Sequence, residues 1–440
     1  MSDHSRTRSI FAGWWVVAAC FLEMFVTIGV PFYELSIFMP SLEKEFGWSA
    51  AALSGIYSTL LVSYALALPA VGYLNDYLGA KQALLIGPLG MAVCFALVTG
   101  VSSVRTLYCI YAVIGALAGL SGYVPASALI CKWFIRNRGL AVGVAVSGVA
   151  VGPLTTSVLL EWLIRTSGWR AAYFSVSAYC IALVPLLAYL LVDDPSDLGL
   201  QPYGHEDEAA EAGIAVDPTA SSRSGFSVGA ALHTRAFWLL TAATALWVSA
   251  ESGVIAQMVP MMIEARYAPT VAALALGLTI GISAVGRIGF GFVSDHFDRR
   301  LGYMAAIICV AISMGALLEM HDSALWLVVF ITLFGLGMGG YFVLPVTLLA
   351  EYFGQKSLGR LFAVLITASV VGGSIGPIAV GRVHDVTASY FGAYLLCLSL
   401  SILAAVVVVP VSKPVAALED CGMSLATVCA EAAGTEHQGP

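Results

Sequence analysis

Charged residues are scarce in this sequence. Lys, Arg, Asp and Glu make up 11% of its 440 residues, whereas apolar types make up 59% and the mean hydropathy is +0.90. Soluble domains carry about 25% charged residues. The low charge therefore excludes an ordinary soluble domain and predicts a polytopic membrane protein.

Ligand clusters are also missing. The nine cysteines lie singly, mostly inside apolar runs, with no C-x-x-C pair or His/Cys cluster that would indicate a metal site or a disulfide framework. There is no basic stripe or aromatic RNA-binding motif. "GLGMGG" at 335–340 fits G-x-G-x-x-G, but no strand precedes it. We therefore expect no metal, no cofactor and no nucleic-acid partner.

Long apolar runs dominate the chain. A membrane span needs about 20 mainly apolar residues. Twelve segments meet this requirement: 12–38, 49–73, 82–101, 105–131, 139–163, 170–192, 236–263, 270–293, 302–320, 324–350, 359–381 and 388–411. The predicted fold is an all-α membrane protein with twelve transmembrane helices.

One long polar segment divides these spans into six and six. Residues 193–235 are rich in Pro, Gly, Ser and acidic residues, which is typical of a linker. The predicted organisation is a first six-helix bundle at 1–192, a linker at 193–235, a second six-helix bundle at 236–412 and a tail at 413–440.

The distribution of Lys and Arg predicts the orientation. With the N-terminus inside, the inner segments hold thirteen of the twenty basic residues and the outer segments hold six, leaving Arg287 inside a span. Because basic residues favour the cytoplasmic side, we expect both termini and the linker in the cytoplasm.

The two halves resemble each other. "GYLNDYLGAK" from residue 72 matches "GFVSDHFDRR" from residue 291, which places Asp76 and Asp295 219 residues apart. "GLSGY" matches "LGMGGY", so that Tyr123 and Tyr341 are 218 apart. Duplicated bundles with a site at mid-membrane between them are a transporter architecture. A receptor or a membrane enzyme gives no reason for this symmetry.

Arg287 is the most informative ionisable residue within a span. It lies in "ISAVGRIGFGF" with no acidic residue within seven positions. Arginine stays charged when buried, and its planar guanidinium matches a carboxylate, so we expect it to bind a small organic anion. The alternative is that it extends to the cytoplasmic headgroups.

Acidic residues within the spans are candidates for proton coupling. Glu23, Thr27 and Glu34 fall on one stripe of an ideal helix, although Pro31 should bend it. A structural hydrogen bond is an equal alternative for Glu23, and Glu34 is better explained as a solvated rim residue.

Glu251 lies halfway along the seventh span. A carboxylate there can be neutral in one access state and charged in another, as a proton carrier requires. Pairing with Gln257 or Ser249 is an equally weighted alternative.

Tyr123 and Tyr341 occupy matching places in the fourth and tenth spans. Their hydroxyls could donate to a carboxylate from both sides of a pseudo-symmetric cavity. Simple core packing is the alternative.

The two matching loops resemble the signature of the major facilitator superfamily, G-x-L-x-D-x-x-G-x-K. The residues concerned are Gly72, Asp76 and Lys81 in the first copy and Gly291, Asp295, Arg299 and Arg300 in the second. The resemblance covers all twelve spans and implies that these loops lock the inner gate through charge and helix-dipole contacts. An ordinary capped turn is the alternative.

Further motifs resemble the monocarboxylate transporter family and its bacterial oxalate/formate antiporter relatives. These are "FAGWWVV" at 11–17, "DPSDLGLQPYG" at 194–204 and "GRIGFGFVSD" at 286–295. The resemblance implies that Arg287 pairs with the substrate carboxylate and that the protein lies in a bacterial inner membrane.

Three positions depart from this family. Ser283 stands where mammalian members have Asp, and Tyr33 or Glu34 where they have Lys. The span 359–381 has no Lys, unlike the oxalate exchanger. The first two departures leave the proton site open, with Glu23 and Glu251 as substitutes. One buried cation favours a monoanion over a dianion.

The sequence thus predicts a monomeric transporter of small monocarboxylates such as lactate or pyruvate, with proton symport. Arg287 is expected to bind the carboxylate, with Tyr123, Tyr341 and Tyr33 as further substrate-binding candidates. The alternatives are an anion exchanger without proton coupling, a carboxylate sensor and an exporter of lipophilic compounds.

Overall fold

The computed structural model describes residues 11–48, 50–204, 225–318, 324–387 and 389–414. The side chains of a few helical residues also lie outside the description, among them those of Glu34 and Asp76. Residues 205–224 of the predicted linker, 193–235, and residues 415–440 of the predicted tail, 413–440, likewise fall outside the described residues.

The first half of the chain is helical. Its helices are α1 (Gly13–Thr27), α2 (Leu35–Phe46), α3 (Ala50–Leu78), α4 (Ala80–Val98), α5 (Val104–Ser121), α6 (Tyr123–Trp133), α7 (Arg138–Ser167) and α8 (Trp169–Leu190). A short 3-10 helix, Pro195–Leu198, follows.

The second half repeats this order after the short helix α9 (Val228–Leu232). Its helices are α10 (Arg235–Glu264), α11 (Pro269–His296), α12 (Arg299–Leu318), α13 (Ala324–Tyr341), α14 (Leu344–Phe353), α15 (Leu358–Thr387) and α16 (Phe391–Val408). We call α1 to α8 the N-terminal half and α9 to α16 the C-terminal half.

Twelve stretches among the described residues are long and apolar enough to cross a membrane, which confirms the predicted number of spans. Large apolar side chains such as Leu66, Tyr189 and Ile378 are exposed on these helices. Lipid, and not water, is the solvent that suits such a surface.

The first span departs from a uniform helix. Val30–Glu34 forms a π turn between α1 and α2, with Pro31 in its first turn. Proline lacks the N–H that an α-helix would need, and the wider turn absorbs this defect. The π turn also interrupts the 3.6-residue period, so Glu23 and Glu34 no longer belong to one ideal stripe.

The fourth and tenth spans are each broken at equivalent places. α5 gives way to α6 at Gly122, whose ψ of -132° is not helical. α13 gives way to α14 at Phe342 and Val343, where the backbone makes short three-residue turns. Both breaks follow glycine-rich stretches, which weaken a helix. The sequence pattern alone predicted continuous helices here.

Glycines let the two halves approach closely at one face. Gly139 of α7 and Gly291 of α11 face each other, and a Cβ on either would collide with the backbone of the other. Gly72 of α3 meets the backbone of Arg360 and the side chain of Ala363 on α15. In lipid there is no hydrophobic driving force between helices, so close packing at small residues stabilises such contacts.

Candidate functional site

Arg287 lies between the two halves and is completely buried. It is eight residues before Asp295 on α11, which is roughly 12 Å of helix and places it towards mid-membrane. Its Nη1 donates to the carbonyl oxygen of Val146 on α7, at 2.7 Å. The side chain therefore does not extend to the headgroups but bridges the halves.

The guanidinium of Arg287 keeps donors in reserve. Its Nε and Nη2 have no hydrogen-bond partner among the described residues. One face of the group lies over the ring of Phe342, with Cζ 4.0 Å from the ring centroid. A buried cation with free donors is unfavourable unless something binds it, so this edge can accept a carboxylate.

Phe342 is a residue that sequence reasoning missed. It occupies the break between α13 and α14, and its carbonyl accepts the hydroxyl of Tyr123 at 2.5 Å. The rings of Phe342 and Phe362 also pack against Tyr123. No motif marks Phe342, because an aromatic residue in an apolar run is ordinary core material.

Tyr123 joins the two helix breaks in this state. Its hydroxyl is already donated across the interface to Phe342, so it is not directed at an empty site. Tyr341 packs edge-on against Trp247 and Phe342. The structure thus brings both tyrosines to the surroundings of Arg287, with aromatic contacts as their main interactions.

Glu251 lies on α10 and is 7% exposed. Its Oε2 has no hydrogen-bond partner among the described residues. The partners considered from the sequence are engaged elsewhere: Ser249 donates to the carbonyls of Ala245 and Gly372, and Gln257 accepts from Tyr390. The carboxylate is therefore not held by these neighbours.

Glu251, Tyr33 and Tyr123 all interact electrostatically with Arg287. No salt bridge joins Glu251 to Arg287 in the described part of the chain. One buried cation and one buried carboxylate therefore share a region without forming a closed ion pair. An anion and a proton could each find a partner there.

Glu23 occupies a different environment. It is fully buried on α1, and its Oε1 accepts the hydroxyl of Thr27, one turn later, at 2.7 Å. One oxygen of Glu23 is thus engaged within its own helix, whereas its Oε2 has no hydrogen-bond partner among the described residues. The side chain of Glu34 lies outside the described residues.

Asp295 connects the halves at one face. Its two carboxylate oxygens accept the backbone N–H groups of Gly139 and Leu140, at 2.7 and 2.8 Å. These donors belong to the first turn of α7, where the helix dipole favours a negative charge. Asp295 therefore ties the C-terminal half to the N-terminal half by capping one of its helices.

The other predicted loop residues act mostly within their own half. Arg299 pairs with Glu351 at 2.7 Å, and Arg300 donates to the carbonyl of Val411. The backbone N–H of Lys81 donates to Asp193. The side chain of Asp76 lies outside the description. The first loop approaches α15 at Gly72, and the guanidinium of Arg360 on α15 lies over the ring of Tyr73, 5.2 Å from its centroid.

Removing the charge at Asp295 should open this face. Asp295→Asn leaves one acceptor and no charge for two donors, so we expect the population open at this face to rise roughly tenfold or more. Maleimide labelling of Ser294→Cys, buried beside Gly139, measures that opening against the labelling of the native cysteines.

Asp298→Asn is the matched control for this change. Asp298 lies three residues further on and caps only the first turn of α12, by accepting from the backbone of Arg300 and Leu301. Labelling should stay at the parent level in that variant. Equal labelling in the two variants would show that Asp295 does not hold the face closed.

Comparison with known proteins gives one consistent result. A profile described as Major Facilitator Superfamily matches residues 15–318 and 249–420. Monocarboxylate transporter 12 of Rattus norvegicus is 25% identical over 406 residues, which is 88% of this chain and 82% of that protein. The oxalate:formate antiporter of Oxalobacter formigenes is 26% identical over 382 residues, 82% of this chain and 84% of that protein.

Solved structures of similar fold agree. The transporter FucP in its outward conformation superposes with a TM-score of 0.68 at 15% identity, covering 91% of this chain and 99% of that one. The proton:xylose symporter XylE gives a TM-score of 0.67 at 15% identity, covering 90% and 94%. At this identity the similarity concerns the fold alone.

Proposed function

Because the chain belongs to the major facilitator superfamily and is a transporter and not an enzyme, we propose that it carries small monocarboxylates across the membrane by alternating access, together with a proton. The observation that carries this proposal is Arg287: a fully buried guanidinium at the junction of the halves, with two nitrogens that lack hydrogen-bond partners among the described residues.

Charge and shape favour a short monoanion. Among the described residues, Arg287 is the one buried cation towards mid-membrane. The other buried arginine, Arg138, begins α7 and donates to the carbonyl of Phe134 at the end of α6. Phe342, Phe362 and Tyr341 offer aromatic surface to a short carbon chain. The similarity to monocarboxylate transporter 12 supports the same substrate class.

Proton coupling is assigned to Glu251. It interacts electrostatically with Arg287 but forms no ion pair with it, so its protonation can follow the arrival of the substrate charge. Loading an anion and a proton together leaves the cavity with the same net charge as before. The two halves can then rearrange around a site whose charge is balanced.

Alternating access requires that the interface at Asp295 opens. In this structure the hydrogen bonds between the halves include those of Asp295 with α7, Gln355 with Cys131, Arg287 with Val146 and Tyr123 with Phe342. The face that carries Asp295 is thus closed. With the orientation predicted from the basic residues, this closed face is the cytoplasmic one.

Anion exchange without proton coupling is the second candidate. Ser283, one turn before Arg287, is fully buried and donates to the carbonyl of Ile280, so no carboxylate adjoins the arginine on its own helix. The similarity to an oxalate:formate antiporter favours the same candidate.

Uptake into liposomes distinguishes proton symport from anion exchange. The purified chain should accumulate C1 to C6 monocarboxylates when an acid-outside pH gradient is imposed, and should transport dicarboxylates poorly. Counterflow that ignores the gradient would favour exchange. Binding without flux would favour a carboxylate sensor, and transport of lipophilic compounds in place of carboxylates would favour an exporter.

A further inference from the structure

At the face opposite Asp295, each half contains a glutamate that binds residues of neighbouring helices. Glu45 lies near the end of α2, and Glu264 is the last residue of α10. The two are 219 positions apart, the same offset that relates Asp76 to Asp295. The internal repeat therefore extends to this face.

In the N-terminal half the partner of the glutamate is an arginine. Arg170 donates to Glu45 from both terminal nitrogens, at 2.6 and 2.9 Å, and Trp169 adds a third donor at 2.7 Å. The hydrogen bonds from Arg170, and then that from Trp169, lower the pKa of the Glu45 carboxyl. This clasp remains charged over the whole ordinary pH range, because a guanidinium does not lose its proton.

In the C-terminal half the partner of the glutamate is a histidine. Nε2 of His384, on α15, lies 3.0 Å from Oε2 of Glu264. The other oxygen of Glu264 accepts the backbone N–H of Tyr390 at 3.4 Å. The imidazole stacks on the ring of Tyr390, with centroids 4.1 Å apart, and Tyr390 donates to Gln257 on α10. Three helices thus meet at Glu264.

We propose that Glu264 and His384 form a pH-sensitive clasp that fixes the last turn of α10 to α15 and α16 when the imidazole carries its proton. Histidine changes charge between about pH 5 and 8, whereas arginine does not. An imidazolium can form an ion pair with the carboxylate of Glu264, whereas a neutral imidazole can only donate a hydrogen bond to it. The clasp therefore tightens as this face becomes more acidic.

Titratable and charged groups near His384 come from three chain segments. Glu264 comes from α10, Tyr390 immediately precedes α16, and Tyr394 lies on α16. Arg266 and Arg382 are the nearest basic residues along the two segments that carry Glu264 and His384. Asp385 follows on the same helix, with its side chain outside the description. His384 and Glu264 are 31% and 41% exposed, so protons reach them directly from the solution.

The clasp acts on the helix that carries Glu251. Pro260 interrupts the hydrogen bonding of α10 one turn before Glu264, which makes the last turn easier to displace. Acidity at this face would therefore set the position of the end of α10 without any change at Arg287. The clasp could be absent while transport is intact, or the reverse, because Glu264 and His384 lie outside the central site around Arg287.

Distances between spin labels test the clasp. Labels at Ile263 and Val386, both exposed on α10 and α15, report its opening in nanodiscs once Cys109, Cys309 and the two tail cysteines are replaced. From about pH 5.5 to about pH 8 we expect the longer-distance population to rise roughly two- to fivefold, the change that suits a partly exposed ion pair. Labels at Lys44 and Ser167 should show no such change.

Exchanging the partners gives the decisive comparison. His384→Arg should keep the distance short at both pH values, and His384→Gln should keep the longer population high at both. Arg170→His should confer pH dependence on the label pair of the N-terminal half. An unchanged distribution in the parent protein, or pH dependence that survives in His384→Arg, would overturn the proposal.

Discussion

Replacing Arg287 with lysine should reduce carboxylate uptake by roughly 10- to 100-fold, although the charge is kept. A lysine ammonium cannot bind both oxygens of a carboxylate with one planar group. Loss of hydrogen bonds to a charged group weakens binding by about 1.5–3 kcal/mol, which corresponds to this range. Initial rates of uptake into liposomes measure the effect.

Arg165→Lys is the control for this substitution. Arg165 is 76% exposed near the end of α7 and pairs with Glu161 one turn earlier, so a lysine should serve equally well. Full uptake by Arg287→Lys would remove the substrate role of this residue. Intact transport of lipophilic compounds by Arg287→Ala would instead support the exporter.

Glu251→Gln should abolish accumulation driven by protons while exchange of internal for external substrate continues. Glutamine keeps the size and polarity of the side chain but cannot take up and release a proton. For one proton per monoanion, a gradient of one pH unit should support roughly tenfold accumulation in the parent protein. In the variant the internal concentration should only reach the external one.

Two further glutamates sharpen this test. Glu161→Gln alters an exposed carboxylate and should leave accumulation intact. Glu23→Gln alters a buried carboxylate that accepts a hydrogen bond from Thr27. Because the proposal places the proton site at Glu251, accumulation should also persist. If Glu23→Gln abolished accumulation and Glu251→Gln did not, the proton site would lie in the N-terminal half.

The number of spans could be predicted from the sequence because each apolar run is long and bounded by polar residues. The interruptions within spans could not. Gly122 and Phe342 lie in runs whose hydropathy does not change at the break, and only the packing of α6 against α14 reveals them. Pro31 predicted a bend in the first span, but the sequence did not predict that a π turn would accommodate it.

The sequence predicted the rare charged side chains of the site, but it could not predict the backbone groups that bind them. Arg287 stands out because every other basic residue lies at the end of a span or outside the spans. Its partner in this structure is the carbonyl of Val146, and a carbonyl group has no signature in the sequence. The relation between Glu45 and Glu264 could have been predicted from the sequence, because the two are separated by the same 219 positions as Asp76 and Asp295.

The bond between Arg287 and Val146 has a consequence for affinity. A guanidinium that is held by the opposite half must give up part of that contact before an anion can draw it away. A hydrogen bond contributes about 1 kcal/mol net, so the empty carrier would bind its substrate roughly fivefold more weakly than an unconstrained arginine would. The same bond re-forms when the anion leaves, and it thereby favours release. A carrier that cycles must discharge its cargo as readily as it loads it, and this residue supplies a means for both.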